Sequence, residues 1–194
     1  MCLAAQSPGL HSALLAAKAA GYDHVNIDGT LVDTDRCHLP GPTPGVDLWW
    51  SGKHHHHGGN IQVITAPDGW PWWTSDVRPG REHDTGALRA HAEILPHLAT
   101  WTSADLAVLG DLGYEGEADL ITVATKKPAG GTLTDDQKAR NKAHNGSRAQ
   151  SERGNSLLKM TFRTLRRISL CPWRIGKIVA AALVLLHIEH ARTT

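Results

Sequence analysis

The sequence NIQVITAPDGWPWWTSDV, residues 60–77, restricts the possible folds more than any other segment of this chain. Two runs rich in β-branched and aromatic residues flank the tripeptide PDG, whose residue types are typical of a turn. The segment therefore predicts a β-hairpin. Its tryptophans favour packing on one face and shielding of the sheet edge, with base stacking as the alternative.

Hydrophobic periodicity places further elements on both sides of this hairpin. The predicted strands are 24–33, 105–114 and 120–127, the predicted helices are 8–20, 83–98, 134–168 and 174–190, and a Pro- and Gly-rich loop is predicted at 37–59. This order predicts a mixed α/β sheet covered by helices. We divide the 194 residues, enough for one domain with a real core, into a short helical segment, 1–23, and a main domain, 24–194.

Targeting and membrane-spanning sequences are not expected in this chain. The first 21 residues lack a basic start before an unbroken apolar run, which argues against a signal peptide. The run IVAAALVLL, residues 178–186, is too short to span a bilayer and predicts a buried helix. Three scattered cysteines form neither a metal-binding nor a disulfide pattern, so we expect a cytoplasmic protein.

The net charge of +1 conceals a strong asymmetry along the chain. Residues 126–177 contain 13 Lys and Arg against three acidic residues, whereas residues 1–125 contain 6 against 15. A basic half joined to an acidic half indicates a polyanionic partner such as nucleic acid. The alternative is an ordinary solvated helix surface.

Three acidic residues occur where carboxylates can converge. Asp28 lies inside the strand sequence HVNIDGTLVD, Asp111 follows the buried run of the strand at 105–114, and Glu152 lies in the basic helix. An unpaired charge beside a core strand is costly, and close carboxylates repel one another unless cations neutralise them. Hard divalent ions with oxygen ligands, Mg²⁺ or Mn²⁺, suit such a group, and a pair of them can promote phosphoryl transfer.

Each acid also has an ordinary structural explanation. Aspartate at a strand end often forms a turn or caps a helix. Asp84, in RPGREHD, is expected to cap the helix at 83–98 rather than to bind a metal. Arg148 and Glu152, one helical turn apart, suit a surface ion pair worth a few tenths of a kcal/mol. Spacing alone leaves these explanations open.

An ordered set of motifs extends over roughly residues 24–190: NIDGT, SGKHHHHGGNIQV, SDVRPGREHD, LGDLGYEG, LTDDQKARNKAHNGSRAQSERGNSLLK and ALVLLHIEH. With Arg148, Glu152 and Lys159 spaced as Arg-x3-Glu-x6-Lys, the set resembles the DDE transposases of the fifth bacterial insertion-sequence family and relatives such as the Harbinger-like nucleases. Gaps of 82 and 40 residues between the three acids suit that pattern. Asn145 stands where the wider signature has a tyrosine.

The resemblance implies a ribonuclease-H-like catalytic domain at 24–194, in which five strands and flanking helices bring Asp28, Asp111 and Glu152 together around two Mg²⁺ or Mn²⁺ ions. It implies metal-dependent cleavage at the terminal inverted repeats of a transposon and strand transfer into target DNA, by a homo-oligomer associated with the bacterial nucleoid. Helical spacing places both Arg148 and Lys159 on the side of Glu152. The expected DNA-binding residues are Lys53, Arg148, Arg153, Lys159 and Arg163.

The sequence KHHHHGG, residues 53–59, suggests a metal site or a purification tag. Consecutive histidines point in different directions and make a poor fixed set of zinc ligands. We interpret the run His54–His57 as a native loop that leads into the hairpin, where Lys53 or a histidine contacts a phosphate. Gly113 is expected to permit a tight exit from its strand, and Tyr114 to pack beneath the site rather than touch DNA.

A helix-turn-helix region usually precedes the catalytic domain in such transposases. Here about 23 residues precede the first strand, so we expect that region to come from a separate upstream frame or to be missing. Two alternatives to an active transposase therefore stay open. One is a truncated, inactive DNA-binding remnant that inhibits by forming mixed oligomers, and the other is a domesticated metal-dependent nuclease.

Overall fold

Two long strands organise a seven-stranded sheet in this computed structural model, which describes residues 2–192 (the backbone alone at Ser151). The strands are β1 (His24–Thr34), β2 (Trp50–Ser51), β3 (His56–Thr65), β4 (Pro71–Thr74), β5 (Arg78–Pro79), β6 (Ala107–Leu109) and β7 (Arg167–Ile168). The α-helices are α1 (Leu10–Ala19), α2 (Asp84–Arg89), α3 (Ile94–Thr102), α4 (Asp135–Thr161) and α5 (Ile175–Glu189). The expected mixed α/β architecture is confirmed, with seven strands instead of five.

The pairing of β1 defines the position of the site. On one side β1 pairs antiparallel with β3, from Asn26 opposite Thr65 to Asp33 opposite Gly58. On the other side β6 pairs parallel with His24–Asn26, and β7 pairs parallel with the end of β1 at Asp33 and Thr34. Among residues 2–192, no strand pairs with this second edge between those two contacts. We call residues 27–32 of β1 the open interval.

Alternate residues of the two long strands enter two separate cores. Ile27 and Ile64 pack in one core with residues of α1, α2 and α3, whereas Val32 and Val63 pack in the other with residues of α4 and α5. This alternation follows from the two-residue period of a strand. Asp28 therefore points to the α4 side of the sheet and its neighbour Gly29 to the α2 side.

The hairpin predicted at 60–77 is confirmed by β3 and β4. Ala66 and Trp70 close the turn with a backbone hydrogen bond of 2.8 Å, and the Gly69 amide donates to the Ala66 carbonyl at 2.9 Å. Gly69 has a φ of +85°, a conformation that glycine adopts without strain. The Asp68 carboxylate accepts the Trp70 amide, so the PDG sequence sets the turn through its own side chains.

The helix expected at 83–98 is wrong as one element, because the structure forms α2 and α3 with a break after Arg89. Pro96 explains the break. Proline has no amide hydrogen, and its ring collides with the carbonyl four residues earlier, so it is tolerated only in the first turn of a helix. Beginning α3 at Ile94 places Pro96 in that first turn.

Two predicted strands are shorter than the sequence suggests. The strand expected at 120–127 is a single parallel bridge between Leu109 and Thr122. Asn141 of α4 explains this, because its side-chain amide takes both the N–H and the carbonyl of Thr125 at 2.8 and 2.9 Å. The strand expected at 105–114 ends at Leu109 because the chain turns into a 3₁₀ helix, Leu112–Glu117.

The basic helix begins as predicted but ends early. Thr134 and Gln137 form a capping box, in which each side chain accepts the backbone N–H of the other residue. The helix ends at Thr161 rather than at residue 168. After Phe162 the chain turns so that Leu165 and Ile168 are buried, and Ile168 pairs with Thr34 in the sheet.

The last helix, α5, is apolar because it lies in the second core. Val179, Leu183 and Leu186 are buried, and His187 Nε2 lies 2.7 Å from the carbonyl of Pro71. The predicted buried helix at 174–190 is thus confirmed. Within residues 2–192, none of the helices has both the length and the apolar character needed to cross a membrane.

Candidate active site

Asp28 lies in the open interval of β1, opposite Val63 of β3. Its side chain is 16% exposed. Asn155 Nδ2 donates a hydrogen bond of 2.9 Å to Asp28 Oδ2, and Arg148 Nη2 lies 3.8 Å from Asp28 Oδ1. Both partners belong to α4, so the basic helix contacts the core strand through this carboxylate.

The electrostatic environment of Asp28 is unfavourable for its charge. Burial raises the pKa of Asp28 from 3.8 to about 6, and the Arg148 guanidinium opposes this rise. The carboxylates of Asp111, Asp84 and Glu152 raise the Asp28 pKa further, in that order. These acids therefore lie close enough to repel Asp28, and a cation placed among them would relieve the repulsion.

Asp111 reaches the site because β6 runs parallel to β1. Leu109 pairs with Asn26, so Asp111 and Asp28 each lie two residues beyond this pair. The Asp111 side chain caps the 3₁₀ helix Leu112–Glu117, with Oδ1 accepting the Gly113 N–H at 2.8 Å. Asp111 therefore caps a helix and also acts electrostatically on Asp28, so the two roles are compatible.

Glu152 is exposed on α4. It lies one turn after Arg148 and one turn before Asn155, so the contacts of those two residues with Asp28 direct this side of the helix toward the acids. Asp111 and Glu152 thus both act electrostatically on Asp28, and their role as a common site stays a prediction. Asn155 was not expected from the sequence, although its helical spacing from Arg148 is a signal that identifies it.

The acids match a divalent ion in chemistry rather than in position. Carboxylate oxygens are the ligands that Mg²⁺ and Mn²⁺ prefer, and the neighbouring carboxylates add to the burial that raises the pKa of Asp28. Within residues 2–192, however, no three His, Cys, Asp or Glu side chains converge closely enough to hold a metal ion. The side chains would have to move together to coordinate one.

Lys159 and Lys53 lie on the two sides of the acidic group. Lys159 donates a hydrogen bond of 2.8 Å to the carbonyl of Leu31, in the open interval, and burial lowers the pKa of its ammonium group. Lys53 lies in the loop between β2 and β3, and its Nζ is 3.6 Å from Asp84 Oδ2. Both cations are therefore next to the acids, one half-buried and one exposed.

Arg153 and Arg163 are exposed. Arg153 follows Glu152 on α4 and lies beside the hairpin turn at Gly69, and Arg163 begins the 3₁₀ helix Arg163–Arg166 after α4. The five residues expected to bind DNA thus fall into two sets, with Arg148, Lys159 and Lys53 beside the acids and these two arginines on the outer surface.

The expected capping role of Asp84 is wrong. His83 is the N-cap residue of α2, and Asp84 is the first residue of the helix. Asp84 Oδ1 instead accepts a hydrogen bond of 2.9 Å from Asn60 Nδ2 of β3. The sequence contains a signal for this contact, because Asn60 and Gln62 are polar residues two apart in the buried middle of β3, beside glycine and apolar residues.

Tyr114 and the histidine run have structural contacts. Tyr114 packs beneath the site, as expected, since it is fully buried and donates to Gln62 Oε1 at 2.5 Å. The histidines diverge, with His57 Nε2 3.0 Å from Asp47 and His56 Nδ1 3.4 Å from Asp33. Both residues begin β3 and pair with β2, so the expected loop is wrong for them, and they face different carboxylates rather than one shared metal site.

A cleft of about 830 Å³ is lined by Asp84 and Lys53, whereas Asp28, Asp111 and Glu152 are not among its lining residues. Its lining includes Gly29, Asp84 and Gly113 together with Trp50, Lys53 and His54. The cleft therefore combines carboxylates, an aromatic ring and cationic groups, which are the features that a nucleic-acid strand requires near a cleavage site.

Comparison with known protein families shows to which family this chain belongs. The family model of the DDE superfamily endonucleases matches residues 27–187, which is most of the chain and includes Asp28, Asp111 and Glu152. The chain belongs to the DDE superfamily endonuclease family. No curated protein and no solved structure matches the chain significantly. The superfamily part of the resemblance is therefore confirmed, and its assignment to one insertion-sequence family stays a prediction.

Proposed function

We propose that this DDE superfamily endonuclease domain is the catalytic domain of an insertion-sequence transposase, with Asp28, Asp111 and Glu152 as its catalytic acids. The observation that carries the proposal is the burial of Asp28 in the open interval of β1, where Asp111 and Glu152 both raise its pKa. A buried carboxylate that other acids repel is destabilising, so the arrangement favours a function that requires a bound cation.

A ribonuclease-H-like arrangement is part of the same proposal. The strand order β4-β3-β1-β6, with β3 antiparallel and β6 parallel to β1, supports it. The bridge at Thr122 adds a parallel neighbour to β6, so five segments pair in sequence across the sheet. The two-residue strands β2, β5 and β7 are additions at the edges.

The three acids would hold two Mg²⁺ or Mn²⁺ ions. When bound, these ions supply the Lewis acidity that phosphodiester cleavage requires. Arg148 lies against Asp28 and Lys159 contacts Leu31 of the open interval, so these cations would orient the phosphate nearest the acids. Water attack at the transposon end would release a 3′-hydroxyl, which would then attack a phosphodiester of the target DNA.

The outer cations would bind the DNA backbone on either side of the cleavage point. Lys53 at the mouth of the cleft, and Arg153 and Arg163 on the outer surface, are positioned for such contacts. We propose that the active form is a homo-oligomer that joins two transposon ends, and that it acts in the cytoplasm at the nucleoid.

The test is cleavage and joining of a labelled duplex that carries the terminal repeats flanking the gene. We expect strand cleavage and joined products with Mg²⁺ or Mn²⁺ and none with EDTA, and we expect Asp28→Ala to abolish both. Asp119→Asn, at an exposed acid, is the matched control and should retain activity. Cleavage without joining would favour a nuclease, and wild-type cleavage by Asp28→Ala would refute the assignment of the site.

A further inference from the structure

A series of buried hydrogen bonds leads from Tyr114 to Asp84. Tyr114 Oη donates to Gln62 Oε1 at 2.5 Å, and Gln62 Nε2 donates to Asn60 Oδ1 at 2.9 Å. Asn60 Nδ2 then donates to Asp84 Oδ1 at 2.9 Å. We call these four side chains the relay. Tyr114, Gln62 and Asn60 are buried, so each bond replaces water that these groups would otherwise require.

Every donor in the relay points toward Asp84. Each amide accepts with its oxygen and donates with its nitrogen, so neither Gln62 nor Asn60 can flip without losing both bonds. Leaving a buried polar group unpaired is costly. The relay therefore fixes one oxygen of Asp84 from inside the core.

Two glycines leave the space that the Asp84 carboxylate occupies. A Cβ atom at Gly29, the residue after Asp28, would collide with Asp84 Oδ1. A Cβ atom at Gly113 would lie 3.2 Å from Asp84 Oδ2 and 2.7 Å from Asp111 Oδ1. Asp84 thus lies over the backbone beside Asp28, and its second oxygen faces the same space as Asp111.

The charge of Asp84 is only weakly neutralised. Its side chain is 13% exposed, and Lys53, whose Nζ lies 3.6 Å from Oδ2, is 63% exposed. Water screens a lysine so exposed. Oδ2 is therefore a carboxylate oxygen at the wall of the cleft that a divalent ion can use in place of Lys53.

A purely structural role for Asp84 explains less. An acidic residue in the first turn of a helix gains a few tenths of a kcal/mol from the helix dipole, and α2 has only six residues. That gain requires neither the relay nor glycine at positions 29 and 113.

We propose that Asp84 is a fourth carboxylate of the cleavage centre, a ligand for a divalent ion next to Asp111, and that the relay sets its orientation. This inference rests on the proposed function, since it assumes that the centre binds divalent ions. Asp84, from α2, would then join three acids from other elements. These are Asp28 of β1, Asp111 after β6 and Glu152 of α4.

The experiment measures Mn²⁺ binding to the full chain without DNA, by electron paramagnetic resonance of free Mn²⁺ and by calorimetry. Asp84→Asn keeps the acceptor for Asn60 and removes the charge. We expect it to weaken Mn²⁺ binding about tenfold or more, the scale on which metal-site partners act. Asp119→Asn should bind Mn²⁺ as the wild type does. Asp28→Asn and Asp111→Asn report independently on the proposed centre.

A second pair of variants keeps the Asp84 carboxylate, and one of the two displaces it. Gly29→Ala places a methyl group against Asp84, whereas Gly86→Ala, in the same helix as Asp84, projects into open space. We expect Gly29→Ala to weaken Mn²⁺ binding and Gly86→Ala to leave it unchanged. Thermal unfolding in EDTA separates folding from binding, because loss of a repelled charge should leave Asp84→Asn at least as stable as the wild type.

The outcomes distinguish this inference from the proposed function. Wild-type Mn²⁺ binding by Asp84→Asn, with loss in Asp28→Asn or Asp111→Asn, would overturn the role of Asp84 and leave the centre intact. Wild-type binding by all three variants would overturn both. If Asp84→Asn loses stability in EDTA and Gly29→Ala binds Mn²⁺ normally, Asp84 has a structural role and the inference is wrong.

Discussion

At the scale of single residues, Asp28 destabilises the fold that contains it. The residue is close to other carboxylates and largely out of water, and Arg148 and Asn155 compensate only in part, since its pKa remains raised to about 6. A site of this kind is retained at a cost to stability when its charge is needed for function. The cost is measurable as a dependence of stability on pH.

Asp28 should make the metal-free protein less stable as pH rises. Its folded pKa of about 6 exceeds the unfolded value of 3.8, so its stabilising contribution is complete below the unfolded pKa and is lost as pH rises through the folded pKa. In EDTA, Asp28→Asn should match the wild type near pH 4 and exceed its free energy of unfolding by up to about 3 kcal/mol near pH 7.5.

Denaturant unfolding of both proteins across this pH range tests the prediction. Asp119→Asn, which changes an exposed acid, should show no such pH-dependent difference from the wild type. A wild type more stable than Asp28→Asn at the higher pH would mean that nearby cations already neutralise Asp28, contrary to the repulsion described above.

Tyr114 offers a second prediction at this scale. Tyr114→Phe removes the hydroxyl that donates to Gln62 and leaves the buried Gln62 oxygen without its donor. We expect the free energy of unfolding to fall by about 1–3 kcal/mol, the cost of a buried unsatisfied group. Tyr22→Phe, at a tyrosine with an exposed hydrogen bond to Asp68, is the control and should cost less. Equal costs would contradict the importance of the buried relay.

The residues of the site differ in how far the sequence predicts them. Asp28 and Asp111 are marked locally, because each is a charge at a buried strand or directly after one. Asp84 and Asn155 are not marked in this way, since their roles depend on contacts with β3 and β1, distant in sequence. The local sequence predicts that Asp84 caps a helix, but in the structure its carboxylate accepts a hydrogen bond from Asn60 instead.

At the scale of elements, α4 connects the basic surface to the acids. Gly154 permits this docking, because a Cβ atom there would lie 2.5 Å from Thr65 Cγ2 and 2.8 Å from the carbonyl of Gly69. The helix therefore rests directly on the end of β3 and on the hairpin turn. A shift of α4 would move Glu152, Arg148 and Asn155 together.

Two glycines of α4 give a matched test of this docking. Gly154→Ala should lower the free energy of unfolding by about 1–3 kcal/mol, as overpacking does, and should reduce DNA cleavage. Gly146→Ala meets no atom within 4 Å and should stabilise the helix by about 0.5–1 kcal/mol. Urea unfolding and a cleavage assay measure both effects. Stabilisation by both substitutions would show that α4 does not pack closely at Gly154.

Elements were predictable where their pattern was local and uninterrupted. The hairpin, α1, β1 and α5 follow directly from turn chemistry and periodicity. Predicted elements were wrong where a distant part of the chain bonds their backbone or where burial of other residues turns the chain. Asn141 bonds the backbone of Thr125 and ends the possible strand, and burial of Leu165 and Ile168 ends the long helix.

At the scale of the whole molecule, the charge asymmetry places the basic residues and the proposed catalytic aspartates on different parts of the fold. The basic segment supplies α4 and the turn after it, and the acidic part supplies the sheet that carries Asp28, Asp84 and Asp111. Under the proposed function the cations would attract the DNA backbone, whereas the acids would repel it without bound ions. DNA affinity should therefore depend on salt and on divalent ions at the same time.

The outer cations should determine the salt dependence of DNA binding. Arg153→Ala and Arg163→Ala should each weaken binding for all duplex sequences and reduce the slope of log affinity against log salt by about 1. Lys18→Ala, on an exposed face of α1 away from α4, is the control. Fluorescence anisotropy over about 50–200 mM salt measures the slopes. Equal slopes for all four proteins would mean that DNA binds elsewhere.

The central claim is that Asp28, Asp111 and Glu152 form one divalent-ion-dependent centre for DNA cleavage. Its most direct test is the single-turnover cleavage rate of labelled duplex DNA with Mn²⁺, compared among the wild type, Asp28→Asn, Asp111→Asn, Glu152→Gln and the control Asp119→Asn. The account predicts a loss of about 10³-fold or more for each of the three site variants, the scale on which residues acting as one unit affect catalysis, with the control unchanged. Cleavage at the wild-type rate by any of the three site variants would contradict it.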